Sequence, residues 1–164
     1  MIQDYGSARE NMVENQVRTN DVTDLTIQDA MRALPRERFC APGKAYLAYA
    51  ESTVEYAPGW FLMEPRDVAK LLHAIRPRPG ERALAICGPY AAAVLARIGL
   101  DVTLRVPEGD CLSAVQAALA DEGVRVVAGD PGGAGDDGLL ARREVFDSTP
   151  PLLPGFETVR GFAF

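Results

Sequence analysis

Residues 82–128 alternate between short apolar runs and longer helical stretches, and this alternation settles the class of fold. RALAI (82–86) is a strand-type run, and AAAVLARI (91–98) is a strong helix former. DVTLRV (101–106) alternates and is rich in β-branched residues, so it predicts a second strand. CLSAVQAALADEG (111–123) predicts another helix with Gly123 as its C-cap, and VRVVA (124–128) a third strand. Strand–helix–strand–helix–strand with short connections requires parallel strands joined by right-handed crossovers, which is half of a doubly wound α/β sheet.

The N-terminal half reads differently. Met12, Val13, Gln16 and Val17 recur at helical spacing within 7–19, and Ile27, Ala30, Met31 and Leu34 form the apolar face of a second helix. That helix is capped by Asp24 or Thr26 and ended by Pro35. Pro42-Gly43 marks a turn before a short helix bearing Tyr46, Leu47 and Tyr49. Residues 53–62 are extended and interrupted at Pro58-Gly59, and Glu64-Pro65 opens a helix that carries Val68, Leu71, Leu72 and Ile75. Beyond the third strand, GDPGGAGDDG (129–138) predicts a loop or hairpin connection, because no helix follows that would make it a phosphate cradle. LLARREVF (139–146) and ETVRGFAF (157–164) predict strands that add an antiparallel C-terminal edge. No linker separates two domains. The expectation is one domain over 1–164, with a helical, substrate-side part at 1–78 and a truncated Rossmann-like core at 79–164.

Charge and cysteine content narrow the function classes. With 17 Lys+Arg against 23 Asp+Glu the net charge is -6, whereas nucleic-acid binding draws most of its affinity from a basic surplus. Cys40, Cys87 and Cys111 are too far apart for a C-x-x-C metal or redox site and read as small buried hydrophobes. The opening residues lack the apolar core of a signal peptide, and no run is long enough to span a bilayer, so the expected location is cytoplasmic. His73, the single histidine, sits mid-helix beside Leu71 and Leu72 and reads as structural, with no second histidine for a metal site. Ser52, Ser113 and Ser148 lack a nucleophile-elbow context, and no residue stands out as catalytic.

Several segments in order, MVENQVRTNDVTD, IQDAMRALPRERF, WFLMEPRDVAKLL and ERALAICGPYAAAVLARIG, together with the ending VFDSTPPLLPGF…FAF, resemble the protein-L-isoaspartate O-methyltransferase family. The resemblance covers residues 8–106 and 144–164. It implies a Rossmann-like, S-adenosylmethionine-dependent methyltransferase fold in which the cofactor sits on the loop after the first strand of the sheet. There the family carries an acidic residue and a G-x-G-x-G loop before a tyrosine.

This chain departs from that pattern. Ala85 stands at the acidic position, and the loop is reduced to Cys87-Gly88-Pro89 before Tyr90. About two positions and most glycines are gone, and Pro89 removes a backbone donor where a ligand needs close approach. The carboxylate that would bind the ribose at the end of the second strand aligns near Val106, with Glu108 displaced behind Pro107. The chain is also shorter than its relatives between the second strand and the tail. On the substrate side the family's hydroxyl-bearing T-I-S-Q-P segment is F-L-M-E-P, placing Trp60, Met63 and Glu64 where substrate is held. Trp60 and Phe61 read equally as a hydrophobic plug or an interface patch.

Two main readings follow, beside a third in which the remodelled cleft takes a different small ligand that nothing in the sequence identifies. In the first, Cys87, Gly88, Pro89, Tyr90 and Glu108 are vestiges of a cofactor site. The protein then binds no cofactor and serves as a binding or regulatory module, with a second copy or another protein covering the sheet edges left by lost strands. In the second, it is an active S-adenosylmethionine-dependent protein carboxyl methyltransferase with an altered loop. Neither reading involves nucleic acid, membrane or metal.

Overall fold

The structure is a computed structural model that describes residues 4–129. The glycine-rich connection from residue 130 on, the expected strands at 139–146 and 157–164, and hence the antiparallel C-terminal edge lie outside the described residues.

Helix α1 (Tyr5–Met12) starts because the Asp4 carboxylate accepts from the Ser7 backbone N–H at 3.1 Å and the Ser7 hydroxyl at 2.6 Å. It widens into a π turn over Val13–Val17 and tightens over Arg18–Asn20, so the helix expected at 7–19 is irregular in its second half. The wider turn still places Met12, Val13, Gln16 and Val17 on the buried side. Helix α2 (Leu25–Ala33) is capped by Asp24, whose Oδ1 accepts from the Thr26 N–H at 2.8 Å, and it buries Ile27, Ala30 and Met31. After Pro35 the chain makes one short 3-10 helix at Arg36–Phe39 and another at Ala45–Leu47, the second falling where a short helix is expected but ending before Tyr49.

Strands β1 (Val54–Ala57) and β2 (Trp60–Leu62) pair antiparallel around the Pro58-Gly59 turn, with Val54 opposite Leu62 and Ala57 opposite Trp60. Gly59 takes the left-handed conformation the turn demands, at φ 78°. Helix α3 (Pro65–Ile75) follows with proline at its first position and buries Val68, Ala69 and Leu72.

The second sheet is parallel, in the order β3 (Arg82–Ile86), β4 (Asp101–Val106) and β5 (Arg125–Ala128). Helix α4 (Pro89–Ile98) packs on β3 and β4 and against α2, and α5 (Asp110–Ala118) lies against β5 and β1. Because α4 is enclosed on opposite sides, it is apolar nearly all round: Tyr90, Ala91, Ala92, Ala93, Val94, Leu95 and Ile98 are all buried. The run of alanines lets sheet and helices approach closely. Along β4, Val102, Leu104 and Val106 are fully buried while Thr103 and Arg105 are only partly covered. One continuous apolar core joins residues from Met12 through Leu119.

Helix α5 ends earlier than the sequence predicts, with Leu119 rather than Gly123 at its C-terminus. The following turn carries Glu122 inward. Its almost fully buried carboxylate takes two hydrogen bonds from Arg97, at 2.9 and 3.0 Å, and lies 3.5 Å from Arg38. Among the described residues no helix is long and apolar enough to cross a membrane.

Candidate functional site

A cleft opens where β3 hands over to α4, facing the β2–α3 junction. It encloses about 270 Å³, open solvent at its mouth included, and its lining includes Cys87, Gly88, Tyr90, Met63, Phe61 and Arg36. Sequence-predicted residues from the cofactor side and the substrate side thus meet in one place. Glu108 does not join them. It is exposed in the turn between Pro107 and Gly109, beyond the buried Val106 that ends β4. Trp60 is half-buried against the core, and Glu64 begins α3 with its carboxylate 3.2 Å from Arg66; neither lines the cleft. Pro89 is buried as the first residue of α4.

The turn from β3 to α4 is made in very few residues, and its geometry explains how. Cys87 adopts φ 52°, a left-handed conformation that costs an L-residue about 1–2 kcal/mol. Hydrogen bonds fix it on both sides. Its N–H donates to the Arg105 carbonyl at 3.0 Å, and its carbonyl accepts from the Tyr56 hydroxyl at 3.1 Å. The Tyr56 hydroxyl also lies 3.5 Å from the Cys111 sulfur. Burial pushes the Cys87 thiol up to about 12 and holds the Tyr56 hydroxyl far above the ordinary phenol range, so both stay protonated at neutral pH.

Gly88 then caps α4 without any side-chain acceptor. The first helical N–H groups have no partner within a helix, but Pro89 has none to offer, which leaves Tyr90 and Ala91 at the head of α4. Ala92 already donates to the Gly88 carbonyl at 2.9 Å.

Two roles were not foreseen from the sequence: that of Arg36, which lines the cleft, and that of Tyr56, which braces Cys87 from behind. Arg36 is fully buried. Its Nε donates to the Ala48 carbonyl at 2.7 Å, its Nη2 to the Met63 carbonyl at 2.5 Å, and its guanidinium lies 4.6 Å from the centre of the Tyr90 ring. That ring also meets Phe39 edge-on, with centroids 5.7 Å apart. Nη1 of Arg36 and the hydroxyl of Tyr90 are buried with no hydrogen-bond partner among the described residues. Burial lowers the Arg36 pKa and pushes the Tyr90 hydroxyl up to about 12. Arginine nonetheless remains charged in proteins. No Asp or Glu of the described residues forms an ion pair with it, although Glu37, its chain neighbour, pairs with Arg9 at 3.7 Å and accepts from the Tyr49 hydroxyl. RERF in the sequence offers no signal for this, because the acceptors are backbone carbonyls supplied from later in the chain.

No protein-family model matches the chain. Curated relatives do. A protein-L-isoaspartate O-methyltransferase of Methylorubrum extorquens is 38% identical over 128 residues, covering 76% of this chain and 56% of that protein. One from Rhodopseudomonas palustris is 36% identical over 122 residues, covering 73% and 50%. The chain therefore spans about half the length of the curated relatives it matches. Among solved structures, a protein-L-isoaspartate O-methyltransferase superposes with a TM-score of 0.63 at 22% identity over 74% of this chain and 42% of that one. A second, from Plasmodium falciparum in complex with S-adenosyl-L-homocysteine, gives 0.62 at 15% identity over 74% and 62%. These likenesses establish a reduced Rossmann-like methyltransferase fold.

Proposed function

The chain belongs to the protein-L-isoaspartate O-methyltransferase family, and from that premise we propose that it is a homologue that no longer binds S-adenosylmethionine and serves as a binding module. The observation that carries this reading is the β3–α4 turn. A cofactor loop works by presenting uncommitted backbone N–H groups from a flexible, glycine-rich turn. Here the turn is short, the Cys87 N–H and carbonyl are both engaged within the protein, and Pro89 supplies no donor.

Further support comes from the ribose side, where β4 ends in apolar Val106 and Glu108 stands exposed outside the cleft. The residues present do not fit the cofactor, and without it carboxyl methylation has no source for the methyl group.

Isothermal titration calorimetry with S-adenosylmethionine and S-adenosyl-L-homocysteine tests the reading. The expected outcome is no saturable heat at micromolar ligand. Binding at low micromolar Kd, about -8 kcal/mol, would overturn it and restore the active-enzyme reading, to be followed by methylation of an isoaspartyl peptide.

A further inference from the structure

We propose that the cleft receives a small monocarboxylate with an apolar body, its carboxylate held by Arg36, the Tyr90 hydroxyl and the start of α4. The inference names a ligand class for the same cleft, and so rests on the reading that S-adenosylmethionine has been lost from it.

The starting point is charge. Removing a guanidinium from water is costly unless a counter-charge or a full set of acceptors replaces the lost hydration. Arg36 has two carbonyl acceptors and an aromatic face, but no carboxylate of the described residues forms an ion pair with it, and Nη1 has no acceptor there. The hydroxyl of Tyr90, the ring beneath that guanidinium, is also without a partner among the described residues. Unsatisfied buried polar atoms are uncommon, and two on adjoining groups that line one cleft are donors able to meet an acceptor that enters it.

A third contribution comes from the head of α4. Gly88, Tyr90 and Ala91 all border the cleft, so the positive end of the helix faces the same space. All three contributions favour an oxygen anion.

The number of donors and the shape of the cleft restrict which one. One full positive charge with a handful of donors suits a monoanion, and Pro89 withholds an N–H that a phosphate cradle would use. The remaining walls include Phe61, Leu62, Met63 and Val68, with Phe61 56% exposed at the rim. An apolar tail would lie there and cover that ring. Because both unpartnered atoms are closed off from solvent, seating the carboxylate requires the Phe61–Met63 side to yield. Trp60, the only tryptophan of the chain, adjoins that side and reports the movement.

The test titrates the full chain with 4-methylpentanoate and with its neutral amide, following Trp60 fluorescence and the melting temperature. Ligand is taken to about 10 mM, enough to approach saturation at a millimolar Kd. The acid is expected to bind saturably and raise the melting temperature, and the amide to do neither. Tyr90→Phe, which keeps the ring and loses only an unpartnered hydroxyl, should weaken the acid by about tenfold or more while folding normally. If that variant fails to fold, Arg36→Lys replaces it, with the same loss of binding expected.

A peptide ending in leucine, as free acid against C-terminal amide, tells whether the carboxylate belongs to a chain end or a free metabolite. Either source satisfies the proposal. No saturable binding by any of the acids, equal binding of acid and amide, or an unweakened variant would overturn it. S-adenosylmethionine run in parallel separates the two claims: micromolar binding would refute the lost-cofactor reading, whereas silence from every ligand would refute only this one.

Discussion

The left-handed Cys87 offers a quantitative check on the turn that shapes the cleft. Two variants isolate it. Cys87→Ala removes the half-buried thiol and leaves the backbone strained, and Cys87→Gly removes the same thiol and relieves the strain. At an ordinary helical or extended position glycine is the less stable choice by about 0.5–1 kcal/mol, because its unfolded chain has more freedom to lose. At φ 52° the steric cost to an L-residue is about 1–2 kcal/mol, large enough to reverse that order. Both variants lose similar burial, so the difference between them reports the backbone alone. Cys87→Gly should therefore be more stable than Cys87→Ala by up to about 1 kcal/mol. Urea unfolding followed by circular dichroism measures it, with the urea slope compared to confirm that the unfolded states match. If Cys87→Ala equals or exceeds Cys87→Gly, the turn is not held in the conformation described, and its rigidity no longer argues against a cofactor.

Two further outcomes follow from charge. Glu122→Gln, which keeps the shape but removes the charge shared by Arg97 and Arg38, should destabilise by about 2 kcal/mol, the scale of hydrogen bonds to a charged group, as read by thermal unfolding. Alkaline pH should weaken the fold through Cys87. Its thiol is held up to about 12 in the folded state by burial, while the unfolded value is near 8.5. The contribution is then complete below about pH 8.5 and is lost as pH rises from there toward 12, so stability slopes downward across that range. Unfolding across that range should show this slope in the wild type and a shallower one in Cys87→Ala.

Most of the architecture was legible because it rests on local rules. The strand and helix rhythms of 82–128, proline at the start of α3, and the Pro58-Gly59 turn each act over a few residues, and the structure keeps them all, though α4 already begins at Pro89. The unusual turn was legible as well, since losing glycines before Tyr90 has direct consequences for backbone freedom. Where α5 stops was not: Gly123 does turn left-handed, at φ 70°, but the helix has already given way to a turn at Leu119, in which Glu122 meets Arg97 and Arg38 from distant parts of the chain. Arg36 was hidden for the same reason. A basic residue after a proline looks like surface, and only the approach of Ala48, Met63 and Tyr90 in space makes it interior. Glu108 shows the converse: its place beyond Pro107 in the sequence already separates it from the cleft.

The bonding of Arg36 also bears on the order in which the chain assembles. Its two acceptors lie 12 and 27 residues further along, on either side of the β1–β2 hairpin. Contacts of that sequence separation form only after loop-closure entropy has been met. Until the hairpin has docked, a partly collapsed chain either leaves this guanidinium in water, holding the core open, or buries it unbonded at a heavy cost. Arg36 is therefore expected to penalise compact states in which the hairpin is misplaced. That role would tie the shape of the cleft to the route by which the protein reaches it.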